Sequence, residues 1–334
     1  MNRFRTGWRL AALLLSVALM LPGCTVTVRT STAEPPRSSI TSWTFIDAPN
    51  GLNKDPGQDA YVPQISALGG KLYAAWREMT AGAIHLHVAV YNGEDATPRW
   101  KLVDGRDNTG INYDSARDGF DIQLTAFNGK LYATWQEVGA MTDHIRVALY
   151  NGDDAAPAWS FVDGAGAAGL NHAPGASAGY PQLTVSNAKL YAAWTETEKL
   201  ADQVRVAVYN GNDAAPAWRL VDGGGDNGLN HDPAEFAYTP QLTVLGNRLY
   251  ATRYESEGTT SQIRVAAYNG DDSAPAWRFA DGGLKTGINK NPEHNGFDPQ
   301  LTAFNAKLYV TWKEPNGTER GHQIRAAVKI GEQQ

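Results

Sequence analysis

The chain has 334 residues, a net charge of −6 and a hydrophobic content of 42%, so it can bury a core and is not a disordered protein. Its acidic balance argues against a nucleic-acid partner, because phosphate backbones bind clustered cations. A single cysteine excludes an intrachain disulfide framework and any metal site built from several thiolates.

The first 23 residues have the pattern of a secretory signal. Three arginines precede an apolar run, residues 10–21, that is too short to span a bilayer as a mature helix. The run ends in Leu-Pro-Gly-Cys, which resembles the bacterial lipobox, where the signal is removed before a cysteine that becomes lipidated. We therefore predict lipidation (palmitate) at Cys24, the alternative being an ordinary signal peptide with an incidental cysteine. Residues 24–41, rich in Thr, Ser and Pro, are predicted to be a flexible tether.

From residue 42 to the C-terminus the chain repeats itself five times. A Trp-x-x-x-Asp segment recurs at spacings of 57, 59, 59 and 59 residues, starting at Trp43, Trp100, Trp159, Trp218 and Trp277. Each copy then has a Gly-Leu/Ile-Asn turn, a Gln-Leu/Ile strand, a Leu-Tyr strand ending in Glu, and a strand of the Ile-Arg-Val type. These segments alternate in side-chain character and are bounded by Gly, Asn, Asp or Pro, which predicts four strands per copy.

Five copies of four short strands predict an all-β, five-bladed β-propeller with four-stranded blades. The chain starts with the strand that is fourth in each unit and stops after a third strand. The phase therefore predicts a ring closed by the N-terminal strand, which would complete the last blade. An open solenoid or stacked sheets are the alternatives.

The repeats resemble those of five-bladed bacterial propellers, including sugar-binding propeller lectins. The turn before each Trp, such as residues 150–159, is similar to the Asp-box of sialidase propellers but lacks the Gly three residues before the Trp. In that family the box is structural, so the resemblance implies architecture only.

Recurring charges and indoles flank the face on which propellers usually bind ligands. Fucose-binding propeller lectins combine Arg, Glu and Trp, and the strand Ile-Arg-Val looks like theirs, although their spacing of Glu and Trp after the Arg is not reproduced. This resemblance implies repeated sugar pockets, with hydroxyls bound by charges and a sugar face packed on indole. The candidate residues are Glu78, Glu137, Glu196, Glu255, Glu314, His87, Arg146, Arg205, Arg264, Arg325, Trp76, Trp135, Trp194 and Trp312.

Each of these sets has a structural alternative. Glu and Arg could form cross-strand ion pairs, and the indoles that begin the outer strands are expected to pack between blades. The five glutamines, Gln64, Gln123, Gln182, Gln241 and Gln300, could line a central channel or bond to neighbouring backbone. No cofactor is expected. Five recurring aspartates could bind calcium through their oxygens or could simply cap loops: Asp47, Asp104, Asp163, Asp222 and Asp281.

An enzyme needs one asymmetric constellation of acid, base or nucleophile, and near-identical blades do not provide it. The departures from the repeat are few: His85, His87, Arg253, Tyr254 and His294. We therefore predict a monomeric, non-enzymatic, lectin-like binding module that uses several weak carbohydrate sites, anchored in the cell envelope outside the cytoplasm, in the outer membrane where there is one. A protein-binding scaffold and a glycoside hydrolase are the alternatives.

Overall fold

The computed structural model describes residues 43–47, 51–80, 82–105, 110–164, 166–173, 175–198, 201–223, 227–283, 286–317 and 321–329. Cys24 and the predicted signal and tether lie outside these ranges. The chain divides into two compact units, residues 1–45 and 46–334. Of the first, only residues 43–45 are described, and they form no strand.

The second unit contains five antiparallel sheets, or blades, in chain order. Blades one and two consist of β1 (Ala60–Leu68), β2 (Lys71–Met79), β3 (Ile84–Tyr91), β4 (Trp100–Leu102), β5 (Gly119–Phe127), β6 (Lys130–Glu137), β7 (His144–Tyr150) and β8 (Trp159–Phe161). Blades three to five consist of β9 (Ala178–Ser186), β10 (Lys189–Glu198), β11 (Ala201–Tyr209), β12 (Trp218–Leu220), β13 (Ala237–Leu245), β14 (Arg248–Glu257), β15 (Thr260–Tyr268), β16 (Trp277–Phe279), β17 (Phe297–Phe304), β18 (Lys307–Pro315) and β19 (His322–Lys329). A 3-10 helix, Gly166–Ala168, precedes blade three. The predicted five-bladed, all-β fold is confirmed.

The hydrophobic core lies between the blades rather than inside any one of them. Tyr73 and Val88 of blade one pack with Trp135 and Tyr150 of blade two, and equivalent clusters join each following pair of blades up to blade five. A middle strand is therefore buried on both faces: every residue of β11 is buried, including the polar Asp202, Gln203 and Arg205. This explains why a single blade cannot be stable alone and why the sequence repeats.

Four of the five indoles predicted to pack between blades do so, whereas the fifth, Trp43, is 96% exposed. The Trp159 Nε1 donates to the carbonyl of Val103 in the preceding blade at 2.8 Å. The same bond recurs from Trp218 to Val162, from Trp277 to Val221 and from Trp100 to Ile46.

A polar contact repeats between blades at the outer turns. Lys130 and Tyr132 of blade two both bond to Asp213 of blade three, which also accepts the hydroxyl of Tyr209 at 2.9 Å. Burial would raise the pKa of Asp213, but these hydrogen bonds outweigh it and hold the pKa below its usual value. Asp154 and Asp272 form the equivalent ion pairs with Lys71 and Lys189.

The structure differs from the sequence-based expectation at the last blade, whose sheet has three strands among the described residues. The segment Trp43–Asp47, predicted as its fourth strand, forms none. In blades one to four a short turn ties the fourth strand to the third, whereas this segment has no such turn, so its pairing would require closure of the whole chain. A groove of about 870 Å³ lies beside the three-stranded sheet. In this groove the carbonyl of Ala280 accepts a hydrogen bond from the ammonium of Lys329, whereas the equivalent carbonyls of other blades accept one from an indole.

Candidate functional site

The five glutamates predicted to bind ligand are buried and hold the loop that enters each blade. Glu196 is fully buried, and its carboxylate accepts the backbone N–H groups of His172 and Ala173 at 2.9 and 2.7 Å. Glu78, Glu137 and Glu314 each accept two equivalent backbone donors, and Glu255 accepts that of Asp232. Their charge is thus compensated within the protein.

The indoles predicted to bind ligand donate hydrogen bonds to the same glutamates. The Trp194 Nε1 donates to Glu196 at 2.7 Å, and Trp76, Trp135 and Trp312 do the same in their blades. In blade four Arg253 stands in the place of the indole and bonds to Glu255 through Nε and Nη2. This departure from the repeat is therefore a substitution within a structural contact.

The recurring arginines pair with aspartates, not with these glutamates. Arg146 reaches Asp163 at 3.2 Å and covers the ring of Tyr113 at 3.9 Å. Arg205 and Arg264 likewise pair with Asp222 and Asp281, and His87 binds Asp104 at 2.6 Å. The expected Glu–Arg ion pair is wrong for these blades because the register places Arg146 opposite Trp135. Among the recurring arginines, Arg325 of blade five differs in lying 3.6 Å from a glutamate, Glu314.

The candidate lectin pockets are consequently filled by the protein itself. Apart from Arg325, whose side chain is 31% exposed, every predicted ligand-binding residue is at most 4% exposed. Four of the five aspartates proposed as calcium ligands, Asp104, Asp163, Asp222 and Asp281, are engaged by Arg or His, whereas Asp47 is exposed. The described residues contain no group of three His, Cys, Asp or Glu side chains that could hold a metal.

All five blades contribute to one central cavity of about 320 Å³. The predicted ring of glutamines is confirmed as part of its lining: Gln64, Gln123, Gln182, Gln241 and Gln300. Each glutamine follows a bulge in the first strand of its blade, where the ladder to the second strand skips two residues.

The first residue of each bulge has a left-handed backbone although none is glycine. These residues are Val62, Asp121, Tyr180, Thr239 and Asp298, with φ between 49° and 56°. Such a conformation is strained for any L-residue and most of all for the β-branched Val62 and Thr239. Strain of this kind concentrates at functional sites. Here it recurs in every blade and turns a different side chain toward the same cavity.

This position provides the asymmetry that near-identical blades otherwise lack. Two of the five residues, Asp121 and Asp298, are carboxylates, and they come from blades two and five. The sequence analysis missed both. A usable signal was present, because the residue two places before each glutamine changes in character between copies while the glutamine recurs.

Asp121 has an unusual electrostatic environment. Burial raises the pKa of its carboxyl group above the usual 3.8, and the positive charge of Arg77 opposes that shift. The guanidinium of Arg77 lies over the rings of Tyr61 and Phe120, at 5.4 and 5.0 Å. Its Nε is buried and has no hydrogen-bond partner among the described residues.

The environment of Asp298 is different. Its side chain is 62% exposed, and the ammonium of Lys313 lies 3.4 Å from its carboxylate. Lys313 also sits over the ring of Phe297 at 5.7 Å. The cavity therefore combines a half-buried carboxyl group, Asp121, which retains its proton to higher pH, with a carboxylate open to water, Asp298.

Comparison with known proteins gives structural likeness only. No protein-family profile and no curated protein sequence matches the chain. An α-L-arabinofuranosidase from Fusarium graminearum is similar with a TM-score of 0.49 and 13% identity, covering 84% of this chain and 83% of its own. An α-L-arabinanase from Penicillium chrysogenum has a TM-score of 0.47 and 13% identity over 78% and 79%. For an endo-arabinase from Bacteroides thetaiotaomicron the values are 0.41 and 10% over 81% and 93%.

The prediction of a non-enzymatic, lectin-like module is corrected by these observations. The pockets on which it depended are closed by internal contacts. The similar structures are named as glycoside hydrolases, the class that was the second alternative. The sequence-based prediction compared the repeats at the positions that recur, whereas the cavity is also lined by the bulge position, which varies between blades.

Proposed function

We propose that the protein is a glycoside hydrolase and that Asp121 and Asp298 are its catalytic carboxyl groups. One observation carries the proposal: equivalent strained positions in two blades bring a half-buried carboxyl with a raised pKa and an exposed carboxylate to one cavity. Glycosidases use such a pair, in which one group donates a proton and the other supplies negative charge.

The two environments assign the roles. Asp121, whose pKa is raised, donates its proton to the glycosidic oxygen as the bond to the anomeric carbon breaks. Asp298, which water can reach, takes a proton from the water molecule whose oxygen bonds to that carbon. Both carboxyl groups then exchange a proton with solvent and return to their starting states.

The test is hydrolysis of a panel of neutral oligosaccharides and aryl glycosides by residues 42–334. Arabinose-containing substrates come first because the similar structures are named as arabinanases and arabinofuranosidases. We expect turnover of one sugar class by the wild-type protein and none by the D121N/D298N double variant. Equal turnover by both proteins, or no turnover of any substrate, would overturn the proposal.

Arg77 should control the pH dependence of this activity. Activity requires protonated Asp121, so kcat/KM falls as the pH rises through its raised pKa. Because the charge of Arg77 lowers that pKa, Arg77→Met should move the alkaline limb of the pH profile to higher pH. Arg77→Lys retains the charge and should leave the limb nearly unchanged. A limb that does not move in Arg77→Met would show that Asp121 is not the titrating acid.

We also propose that the enzyme is anchored by a lipid at Cys24, outside the cytoplasm and in the outer membrane where there is one. The support is the lipobox-like sequence and the placement of the only cysteine within it. No helix among the described residues is long and apolar enough to cross a bilayer.

Replacing Cys24 tests this anchor. In cells fed a labelled fatty acid, the wild-type protein should carry label and fractionate with membranes, because stable anchoring requires acyl chains. Cys24→Ser should lose the label and accumulate as an unprocessed precursor, while Ser31→Ala, in the same segment, should behave as the wild type. Normal labelling of Cys24→Ser would contradict the anchor.

A further inference from the structure

Four aromatic rings extend across the first strands of blade four toward blade five. The ring of Phe236 lies parallel to that of Tyr238, with centroids 6.4 Å apart. Tyr254, opposite Tyr238 in the sheet, follows at 5.3 Å and a tilt of 31°, and Phe297 meets Tyr254 edge-on at 5.4 Å. We call this row the aromatic track.

The aromatic track is specific to blade four. The position of Tyr238 is also aromatic in blades one, two and five, where it is Tyr61, Phe120 and Phe297, and it is Gly179 in blade three. The positions of Phe236 and Tyr254 are polar or charged in every other blade: Asp59 and Arg77, Asp118 and Gln136, Ser177 and Thr195, and Asn295 and Lys313. Folding of the repeat therefore does not require a ring at the positions of Phe236 and Tyr254, so a role outside the scaffold is expected for these two.

The aromatic track leads directly to the central cavity. Thr239 follows Tyr238 and Asp298 follows Phe297 in the chain, and both line the cavity. At the outer end Phe236 is 40% exposed, and Tyr180 of blade three, 48% exposed, stands at the cavity itself. An extended ligand could therefore contact rings and carboxylates at once.

The polar groups along the aromatic track favour an uncharged ligand. Burial is the main cause that raises the pKa of Tyr254 to about 12, so its phenol stays neutral. The pKa of Tyr238 is also raised, first by burial and then by its hydrogen bond to Asp202. Two carboxylates, Asp202 and Asp298, lie near the track against one ammonium, Lys313, so the net charge there does not favour an anionic sugar.

We infer that the aromatic track binds successive residues of a neutral oligosaccharide beyond the bond to be cleaved. This inference rests on the proposed hydrolase function and adds the class of substrate: a neutral glycan chain rather than a single glycoside. Phe236 is exposed and the other three rings are half-buried, so each leaves part of its surface open to the apolar face of a sugar ring. The ring spacings of 5.3 to 6.4 Å are comparable to the length of one sugar unit.

The experiment combines binding and turnover over a series of neutral arabino-oligosaccharides from disaccharide to hexasaccharide. Binding is measured by calorimetry with the D121N/D298N variant, and kcat/KM with the wild-type catalytic residues. We expect both to improve with chain length, and Phe236→Ala to weaken binding of the longest chains about tenfold. Phe304→Ala, which removes an exposed ring at the other end of β17, is the matched control and should have no effect.

The outcomes separate the inference from the proposed function. Turnover without dependence on chain length, or unchanged binding in Phe236→Ala, would overturn the aromatic track while the hydrolase proposal stands. Binding that depends on chain length and Phe236, without turnover, would support the track as a binding surface and overturn the hydrolase. A neutral series that fails to bind while a uronate-containing series binds would overturn the assignment to uncharged glycans.

Discussion

Replacing Asp121 with asparagine is expected to lower kcat/KM by about 10²–10⁴-fold, which is the usual contribution of a positioned acid. Asparagine keeps the size of the side chain in this half-buried position but cannot give a proton to the departing oxygen. The loss should be greatest for natural glycosides and much smaller for aryl glycosides with acidic leaving groups, because these depart without protonation.

Asp298→Asn should show the complementary pattern. It removes the negative charge that takes a proton from water, so turnover of natural and aryl glycosides should fall to a similar extent. Asp153→Asn is the matched control, since Asp153 is an exposed carboxylate that caps an outer turn. The assignment of roles is refuted when both variants respond in the same way to the leaving group, and the site is refuted when neither loses activity.

The second large effect concerns stability rather than catalysis. Glu196→Ala is expected to lower the free energy of unfolding by about 3–5 kcal/mol, because three donors would remain buried without an acceptor. The donors are the backbone N–H groups of His172 and Ala173 and the indole of Trp194. Urea denaturation followed by tryptophan fluorescence measures the change.

Two variants show whether this effect is specific. Glu196→Gln retains a carbonyl oxygen as acceptor and should cost less than half as much, whereas Glu293→Ala, at an exposed site, should cost under about 0.5 kcal/mol. A loss below about 1 kcal/mol for Glu196→Ala would mean that the buried glutamates do not hold the entry loops. The same replacement in blade two, at Glu137, should give a similar result because its contacts are equivalent.

Much of the architecture follows from local sequence signals. Alternating side chains bounded by turn residues predict strands, and five copies of four predict the blades, because a short sheet can bury both faces only against neighbours. The channel position of the glutamines and the packing of Trp100, Trp159, Trp218 and Trp277 were predicted for the same reason. A property that recurs in every copy can be recognised in a single sequence, because the copies can be compared with one another.

Pairing across strands was not predictable in this way. Arg146 was expected to meet Glu137, yet the register sets it opposite Trp135, and its guanidinium reaches Asp163 instead. A difference of two residues along a strand decides which carboxylate is near, and sequence spacing does not specify it. The burial of the charged sets likewise depends on the entry loops, whose backbone donors leave no mark in the sequence pattern.

The sequence by itself determined the fold class, the number of blades and the repeated core, because these depend on periodic burial that each copy encodes separately. Only the tertiary structure decided where chemistry can occur. Asp121 and Asp298 are 177 residues apart in the chain, and they meet at one cavity because the ring brings equivalent bulges together around its axis. In this repeat protein the recurring residues therefore indicate the scaffold. The proposed function depends on side chains that vary between copies, and only the folded ring brings these together.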